Sequence, residues 1–486
     1  MNIALRRVGI ATVVLIVVLI GQLTYLQVID ADNLANNPKN VRAALRDANR
    51  ARGPIVTADG EVVARSERIH DNTEFDYQRQ YPLGSLFSQV AGYQSFVFGN
   101  TGVEKTYNDQ LIGRDAELQL KNIEDIGSDT TGTVVLSMTA AAQRTAAEAL
   151  GSQHGSVVLL DVQSGAVVAM YSNPSYDPNP LTGHDSKAVQ QYFRQLTSDP
   201  SKPDLARAYR ERYPPGSTFK VITATSAIEK GVATPDTEFP VRSELPLPQS
   251  NNTIQNFGGE SCGGTLFESF TESCNTTFAR LGLELGNDFV SAMGQFGIGD
   301  APPLDAAPGA VGSIGPLESE FDNNDPEFAL AGIGQGQVAV TPLEMALAAE
   351  GIANNGEIKV PHVVKEIRDA NDNLVRRIDP DGRGWKTATD PGTAQAVNAM
   401  MQSVVKNGTG TAAQIPGVTV AGKTGTAQVG DGGPPHAWFV AFAPAEAPRF
   451  AVAVIVERGG NSGSEATGGR VAAPIARRML EVALGK

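Results

Sequence analysis

Between Val8 and Ile29 the chain runs for 22 residues without a charge, and Thr12, Gln22 and Thr24 are the only clearly polar interruptions. That is long enough to cross a hydrocarbon layer of about 30 Å as one helix. A helix buried in a soluble core would show a polar face, which this run lacks. Arg6 and Arg7 precede it, and Asp30 and Asp32 follow. The positive-inside rule then leaves residues 1–7 in the cytoplasm and the rest of the chain outside a cell membrane. The segment ends in bulky Tyr25-Leu26-Gln27-Val28 rather than a small-residue cleavage site, which predicts an uncleaved anchor over residues 8–29.

Beyond the anchor the pattern divides in two. Residues 30–151 open with a charged, Ala-rich amphipathic stretch (Asp30 to Arg52) and break at Gly53-Pro54. Strands follow at Ile55-Val56 and Val62-Val63 around an Asp59-Gly60 turn, and a helix from Ala140 to Leu150 is stopped by Gly151. Residues 152–486 begin with two apolar runs, Ser156–Asp161 and Ala166–Tyr171, spaced as a hairpin. Helical patterns dominate to about Asn355. Strand signals return at Val418–Ala421, Ala437–Ala443 and Phe450–Glu457, and a last helix runs from about Ala472 to Leu484. Pro174 to Pro180 and Glu238 to Gln255 read as long irregular loops. Strands at both ends with helices between them predict one sheet that the chain leaves and rejoins, an α/β layered domain.

Composition narrows the function. Hydrophobic residues at 41% and charged residues at 19% belong to a folded protein. A net charge of −14 argues against nucleic acid as a partner, because phosphate contacts need a basic face. Two Cys cannot build a disulfide-dense scaffold or a Cys₄ zinc site, and five scattered His without an H-x-x-x-H pair argue against a metal.

Three short motifs carry chemistry. In Pro214-Pro215-Gly216-Ser217-Thr218-Phe219-Lys220 the prolines end what precedes, and an apolar helical run follows to Gly231. Ser217 therefore sits at a helix start, with Lys220 one turn on along the same face. A Lys amine with a lowered pKa can take the serine proton; the bland alternative is a capping serine and a solvated lysine. In Ser273-Cys274-Asn275 a hydroxyl and an amide can face one cleft. Ser250-Asn251-Asn252 offers the same spacing, but in a polar loop, whereas Ser273 lies in a helical, apolar stretch suited to a rigid site. In Lys423-Thr424-Gly425-Thr426 a strand ending in a cation, hydroxyls and glycine suits an extended substrate laid along a sheet edge, with Lys423, Thr424 and Thr426 holding a carboxylate. Backbone N–H groups of Ser217 and Thr426 would form an oxyanion hole.

Each motif is weak alone. In this order, 56 and 150 residues apart, they form the set of the penicillin-binding and class A β-lactamase families. The chain resembles the class B, monofunctional penicillin-binding proteins, and within them looks most like the short actinobacterial penicillin-binding protein A type. Arg52-Gly53-Pro54-Ile55, Gly102-Val103-Glu104-Lys105, Gly334-Gln335-Gly336 with Thr341-Pro342, and Ala437-Trp438-Phe439-Val440 extend the resemblance over essentially the whole chain.

The resemblance implies a serine β-lactamase-like transpeptidase domain (152–486), with a central antiparallel sheet, flanking helices and a helical subdomain. It also implies a smaller α+β pedestal (30–151) resembling a dimerisation domain, and one transmembrane helix. It implies a peptidoglycan D,D-transpeptidase: Ser217 as nucleophile, Lys220 as base, Ser273 as proton relay, Asn275 orienting a substrate amide, Lys423 in the catalytic group, and Thr424, Gly425 and Thr426 binding substrate. Stem peptides and β-lactams are the implied ligands, other membrane-anchored proteins of wall synthesis or division the implied partners. No metal or organic cofactor is implied.

A β-lactamase would need a water-activating carboxylate, for which only Glu284-Leu285-Gly286-Asn287 is at hand. A penicillin-sensing receptor would need several spans, and a bifunctional transglycosylase a longer first block. A D,D-carboxypeptidase shares every catalytic residue and stands as the alternative. Finally, Cys262 and Cys274 are the chain's only cysteines. A bridge between them would tie a Gly-rich loop to the element carrying Ser273 and Asn275; the other reading is two thiols, with Cys274 a small buried hydrophobe.

Overall fold

The computed structural model describes residues 3–30, 49–69, 75–121, 131–306, 325–379 and 381–486. Most of the amphipathic stretch expected from Asp30 to Arg52 lies outside them. The chain forms two compact units, residues 1–51 with 66–78, and residues 52–65 with 79–486.

The first unit is built on the helix Ile3–Thr24, prolonged by one wider turn at Tyr25–Ile29. Residues 5–29 are long and apolar enough to cross a membrane, so the helical segment begins a little before the run expected from Val8. The Thr12 and Thr24 hydroxyls donate to the Val8 and Ile20 carbonyls at 3.0 and 2.9 Å. Two of its three polar interruptions are thus satisfied within the helix, which suits a lipid-exposed segment.

In the second unit, the sheet of the C-terminal region has five antiparallel strands ordered Ala421–Ala427, His436–Ala443, Phe450–Val456, Gly155–Asp161 and Val167–Asn173. The chain does leave this sheet after its second strand and rejoin it 250 residues later. The central strands are buried on both faces, and the two-residue period of a strand sorts their side chains. Val157, Leu159, Val452 and Val454 face a core closed by the helices Ala140–Leu150 and Ala473–Ala483. Val158, Leu160, Ala453 and Ile455 face the larger core shared with the helical region. Every residue of the helix Pro342–Ala353, which crosses that second face, is buried.

Two expectations are corrected. The first of the three returning strand signals, Val418–Ala421, is displaced: the strand is Ala421–Ala427, so Lys423-Thr424-Gly425-Thr426 is the body of an edge strand rather than its end. Glu238 to Gln255 is not irregular; it holds the short strands Glu238–Arg242, Glu244–Pro246 and Thr253–Gln255, paired into small ribbons. Each carries a single buried position, Phe239, Leu245 and Ile254, among Pro, polar and charged residues, too sparse to read as a strand pattern.

A second sheet joins Leu374–Arg377, Val364–Arg368, Thr133–Leu136, Ile55–Val56 and the strand beginning at Val62. Beside it, Glu104 is completely buried. It accepts from Arg52 at 2.8 Å, from Arg79 at 2.6 Å and from the Tyr81 hydroxyl at 3.2 Å. Burial alone would raise the Glu104 pKa; Arg79 and Arg52 outweigh it and hold the carboxylate below its usual range. Arg79 also donates to the Arg52 and Gly53 carbonyls at 3.2 and 2.9 Å. The Arg52-Gly53-Pro54-Ile55 and Gly102-Val103-Glu104-Lys105 motifs are therefore two halves of one buried ionic cluster.

Candidate active site

Ser217 lies in a single 3₁₀ turn, Gly216–Phe219, that runs into the α-helix Lys220–Glu229. In 3₁₀ geometry side chains three apart eclipse one another, so this turn aligns Ser217 with Lys220 more directly than the expected α-helical start would. Ser217 is half-buried and Lys220 fully buried. The turn is clamped from several sides. The Trp438 indole donates to the Pro214 carbonyl at 3.0 Å, and Gly216 N–H donates to the Gly334 carbonyl at 2.8 Å. A Cβ on Gly334 would stand 2.2 Å from the Gly216 carbonyl, and one on Gly425 would stand 2.9 Å from that of Pro215. Glycine in Gly334-Gln335-Gly336 and in Lys423-Thr424-Gly425 is thus demanded by backbones lying flat against the nucleophile turn.

Ser273 and Asn275 arrive differently from expectation. The helix Leu266–Glu272, opened by a capping box between Thr265 and Glu268, stops at Ser273, and a second helix, Asn275–Leu285, starts two residues on. Ser273 itself is left-handed, at φ 64°, a conformation unfavourable for a residue with a Cβ. The break turns both its hydroxyl and its carbonyl toward Lys220. Lys220 Nζ donates to the Asn275 Oδ1 at 2.7 Å and to the Ser273 carbonyl at 2.8 Å, and lies 3.2 Å from Ser273 Oγ. Lys423 Nζ donates to the same Ser273 Oγ at 2.8 Å. The three motifs thus meet at one hydroxyl. Ser250 stands apart, its hydroxyl accepting from Asn252 N–H in a local turn.

Burial and then the charge of Lys423 push the Lys220 pKa well below the ordinary lysine value; burial brings Lys423 from 10.5 to about 7. A neutral amine has two N–H groups and a lone pair. With its two N–H groups on the Asn275 and Ser273 carbonyl oxygens, Lys220 keeps the lone pair for a hydroxyl proton. Lys423, a cation in the sequence reading, is drawn toward its neutral form by the same burial, because it too is sealed from water. Strand alternation sends Lys423 toward Ser273 and Thr424 to the opposite face, where its hydroxyl is 2.6 Å from that of Thr409.

Several supporting residues carried no motif. The buried Asn256 accepts from Thr276 N–H at 3.0 Å, holding the first turn of the Asn275 helix, and the Asn275 amide donates to the Gln255 carbonyl at 2.9 Å. Glu457 accepts from the Tyr213 hydroxyl at 2.6 Å and from Arg207 at 2.8 Å, anchoring the chain just before the nucleophile turn. Tyr213 alone of these stood next to a motif. Cys262 and Cys274 are bridged, their Cα atoms 5.5 Å apart; this ties the strand Cys262–Thr265 to the residue between Ser273 and Asn275. Glu284, the one candidate for a water-activating carboxylate, instead pairs on the surface with Arg280 at 2.7 Å.

Comparison with known proteins agrees with this geometry. The family model for the penicillin binding protein transpeptidase domain matches residues 155–481, and that for the penicillin binding protein A dimerisation domain matches residues 52–135. The whole chain aligns at 39% identity with the peptidoglycan D,D-transpeptidase PbpA of Mycolicibacterium smegmatis, and at 37% with PbpA of Mycobacterium tuberculosis, covering 99% of each. Among solved structures, the ceftriaxone acyl-enzyme complex of penicillin-binding protein A from M. tuberculosis superposes with a TM-score of 0.83 at 34% identity, over 90% of this chain and all of that one. A buried lysine pair converging on one serine hydroxyl beside a clamped serine turn, in a sheet of this order, has its place in a known family: the chain belongs to the penicillin-binding protein transpeptidases.

Proposed function

We propose that the chain is a membrane-anchored peptidoglycan D,D-transpeptidase that crosslinks stem peptides through an acyl-enzyme on Ser217. Ser217 Oγ attacks the penultimate carbonyl of a stem peptide ending in D-Ala-D-Ala, and its proton passes to neutral Lys220. The carbonyl oxygen gathers charge against the N–H groups of Ser217 and Thr426, whose backbones the glycine contacts bring together. Ser273, hydrogen-bonded by both lysines, hands a proton on to the departing D-Ala nitrogen, and Lys423 compensates the charge that develops beside it. Asn275 holds Lys220 and a backbone amide of the donor. Thr424, Gly425 and Thr426 receive the extended donor along the open strand edge, Thr424 through its backbone, since its hydroxyl turns to Thr409, and Thr426 with its hydroxyl toward the donor's carboxylate. The amine of a second stem peptide then takes the acyl group and frees Ser217. β-Lactams acylate the same serine.

The observation that carries this reading is the Ser273 hydroxyl shared by Lys220 and Lys423. The matched segments 52–135 and 155–481 support a pedestal over 30–151 and a transpeptidase domain over 152–486, behind an anchor at 8–29. The charge asymmetry around the anchor supports a single pass with both domains outside the membrane, and the pedestal's match to a dimerisation domain supports docking to other wall-synthesis proteins. The test separates transfer from hydrolysis. Given a pentapeptide ending in D-Ala-D-Ala and a labelled D-amino acid, the protein should release D-Ala and incorporate the label. Release of D-Ala with no incorporation at any acceptor concentration would make it a D,D-carboxypeptidase.

A further inference from the structure

Away from the catalytic cleft the second unit contains a cavity of about 320 Å³. It lies between the pedestal segments around residues 88–105 and the helix Ser186–Ser198 with the segment that follows it. Its walls include the rings of three buried tyrosines, Tyr93, Tyr176 and Tyr209. Two of their hydroxyls are used: Tyr209 donates to the Gln89 carbonyl at 2.7 Å and Tyr176 to that of Ser88 at 3.4 Å. The third residue, Tyr93, is largely buried, and its hydroxyl, which is not sealed from solvent, has no hydrogen-bond partner among the described residues. Burial, and after it the charge of Asp204, raise the Tyr93 pKa, which places a carboxylate near the same space.

Three exposed charged residues, Lys105, Asp204 and Arg210, also line the cavity. Neither Lys105 nor Asp204 has an ion-pair partner among the described residues. Lys105 is the last residue of the Gly102-Val103-Glu104-Lys105 motif, yet the buried cluster described above uses only its glutamate.

We propose that this cavity is a binding site for an acidic amino sugar, a pyranose bearing a carboxylate-containing substituent such as a lactyl-peptide. Flat rings with polar edges match a pyranose, whose faces are C–H surfaces and whose rim is hydroxyls. Tyr93 and Asp204 would pair with ring hydroxyl or acetamido groups, and Lys105 and Arg210 with the carboxylate. The volume is at the low end for ligand pockets, which span about 300–1,000 Å³, and so fits one or two sugar rings. An acyl chain would leave Lys105, Asp204 and the Tyr93 hydroxyl unmatched. The inference rests on the reading of the chain as a peptidoglycan enzyme, whose polymer consists of such sugars; the site would hold the glycan while its peptides react elsewhere.

The test uses the full chain in detergent, first acylated with penicillin so that the catalytic cleft is closed. Muramyl dipeptide is the probe and N,N′-diacetylchitobiose its neutral control, followed by ligand-observed magnetic resonance and calorimetry. Muramyl dipeptide should bind saturably in the millimolar range or tighter, equally before and after acylation, and better than chitobiose. Lys105→Glu should weaken it about tenfold, a change of about 1.4 kcal/mol, with an unchanged melting temperature and unchanged acylation. Asp204→Asn should also weaken it, and Tyr93→Phe, which removes only the hydroxyl, should do so by a smaller factor. Absence of saturable binding, loss of binding on acylation, equal binding of chitobiose, or indifference to both charge variants would each overturn the site. Failure of penicillin to acylate the protein at all would instead overturn the enzymatic reading on which it rests.

Discussion

Ser273 concentrates the chemistry of the site in one unfavourable backbone conformation. Its left-handed φ is what directs hydroxyl and carbonyl together at Lys220, and glycine would adopt it without a Cβ clash. Ser273→Gly relieves that strain, about 1 kcal/mol, but removes the acceptor that both buried lysines share, so little net change in stability is expected, while acylation by β-lactam or peptide should slow at least tenfold; melting temperature and stopped-flow acylation read the two effects separately. A slower reaction together with a less stable protein would mean that the hydroxyl serves the fold rather than the reaction.

The lysine pair makes a second claim. Both pKa values fall on folding, so the unfolded chain binds more protons. Stability should then rise with pH from about 7, where folded Lys423 titrates, toward the free-lysine value of 10.5. Acylation should rise with pH as Lys220 loses its proton, through a group well below 10.5. Urea unfolding and acylation rates across that range check both. A rate flat from mildly acidic to alkaline pH would remove Lys220 as base.

Among elements, the ionic cluster of Arg52, Arg79 and Glu104 makes the strongest stability prediction. Glu104→Ala leaves two buried guanidinium groups without their carboxylate and should cost about 3–5 kcal/mol; Glu104→Gln should lose less if its amide oxygen still accepts from them. The depressed Glu104 pKa adds stability above about pH 4.3, the unfolded value, and that share is lost as pH falls through the folded one. Denaturant titration at neutral and acidic pH measures each.

How far the elements could be read from sequence follows from what shapes them. The hairpin at 155–173, the helix Ala140–Leu150 and the last helix were visible because apolar periodicity and a stop residue coincide there. The catalytic strand was displaced by three residues because Lys423 and Gly425 look like turn residues. Only the structure shows that the lysine is buried against Ser273 and that the glycine is where two backbones touch. The apolar pattern runs through Ser273 on both sides, so the sequence places it within a helix. The break depends on its dihedral angle, which composition does not mark. The Glu457, Arg207 and Tyr213 contacts join positions some 250 residues apart, beyond the reach of any local pattern.

For the whole molecule, the sheet that closes only when residues 421–456 return to residues 155–173 makes the C-terminal half indispensable to the site. Truncation before the strand Ala421–Ala427 should abolish β-lactam binding outright, since it removes Lys423 and the wall against which the Ser217 turn rests. Topology is tested on intact protoplasts. External protease should degrade all but the anchor and the few residues before it, and protection of the C-terminal half would invert the proposed orientation.

The central claim is that Ser217 carries the acyl group, activated by a lysine pair gathered around Ser273. The most direct measurement is labelled penicillin followed by intact mass and peptide mapping. One adduct per chain on the peptide containing Ser217 is predicted, with the label absent in Ser217→Ala although that variant unfolds at nearly the same temperature as the parent. Label retained on Ser217→Ala, or mapped to Ser250 or Ser273, would contradict the account.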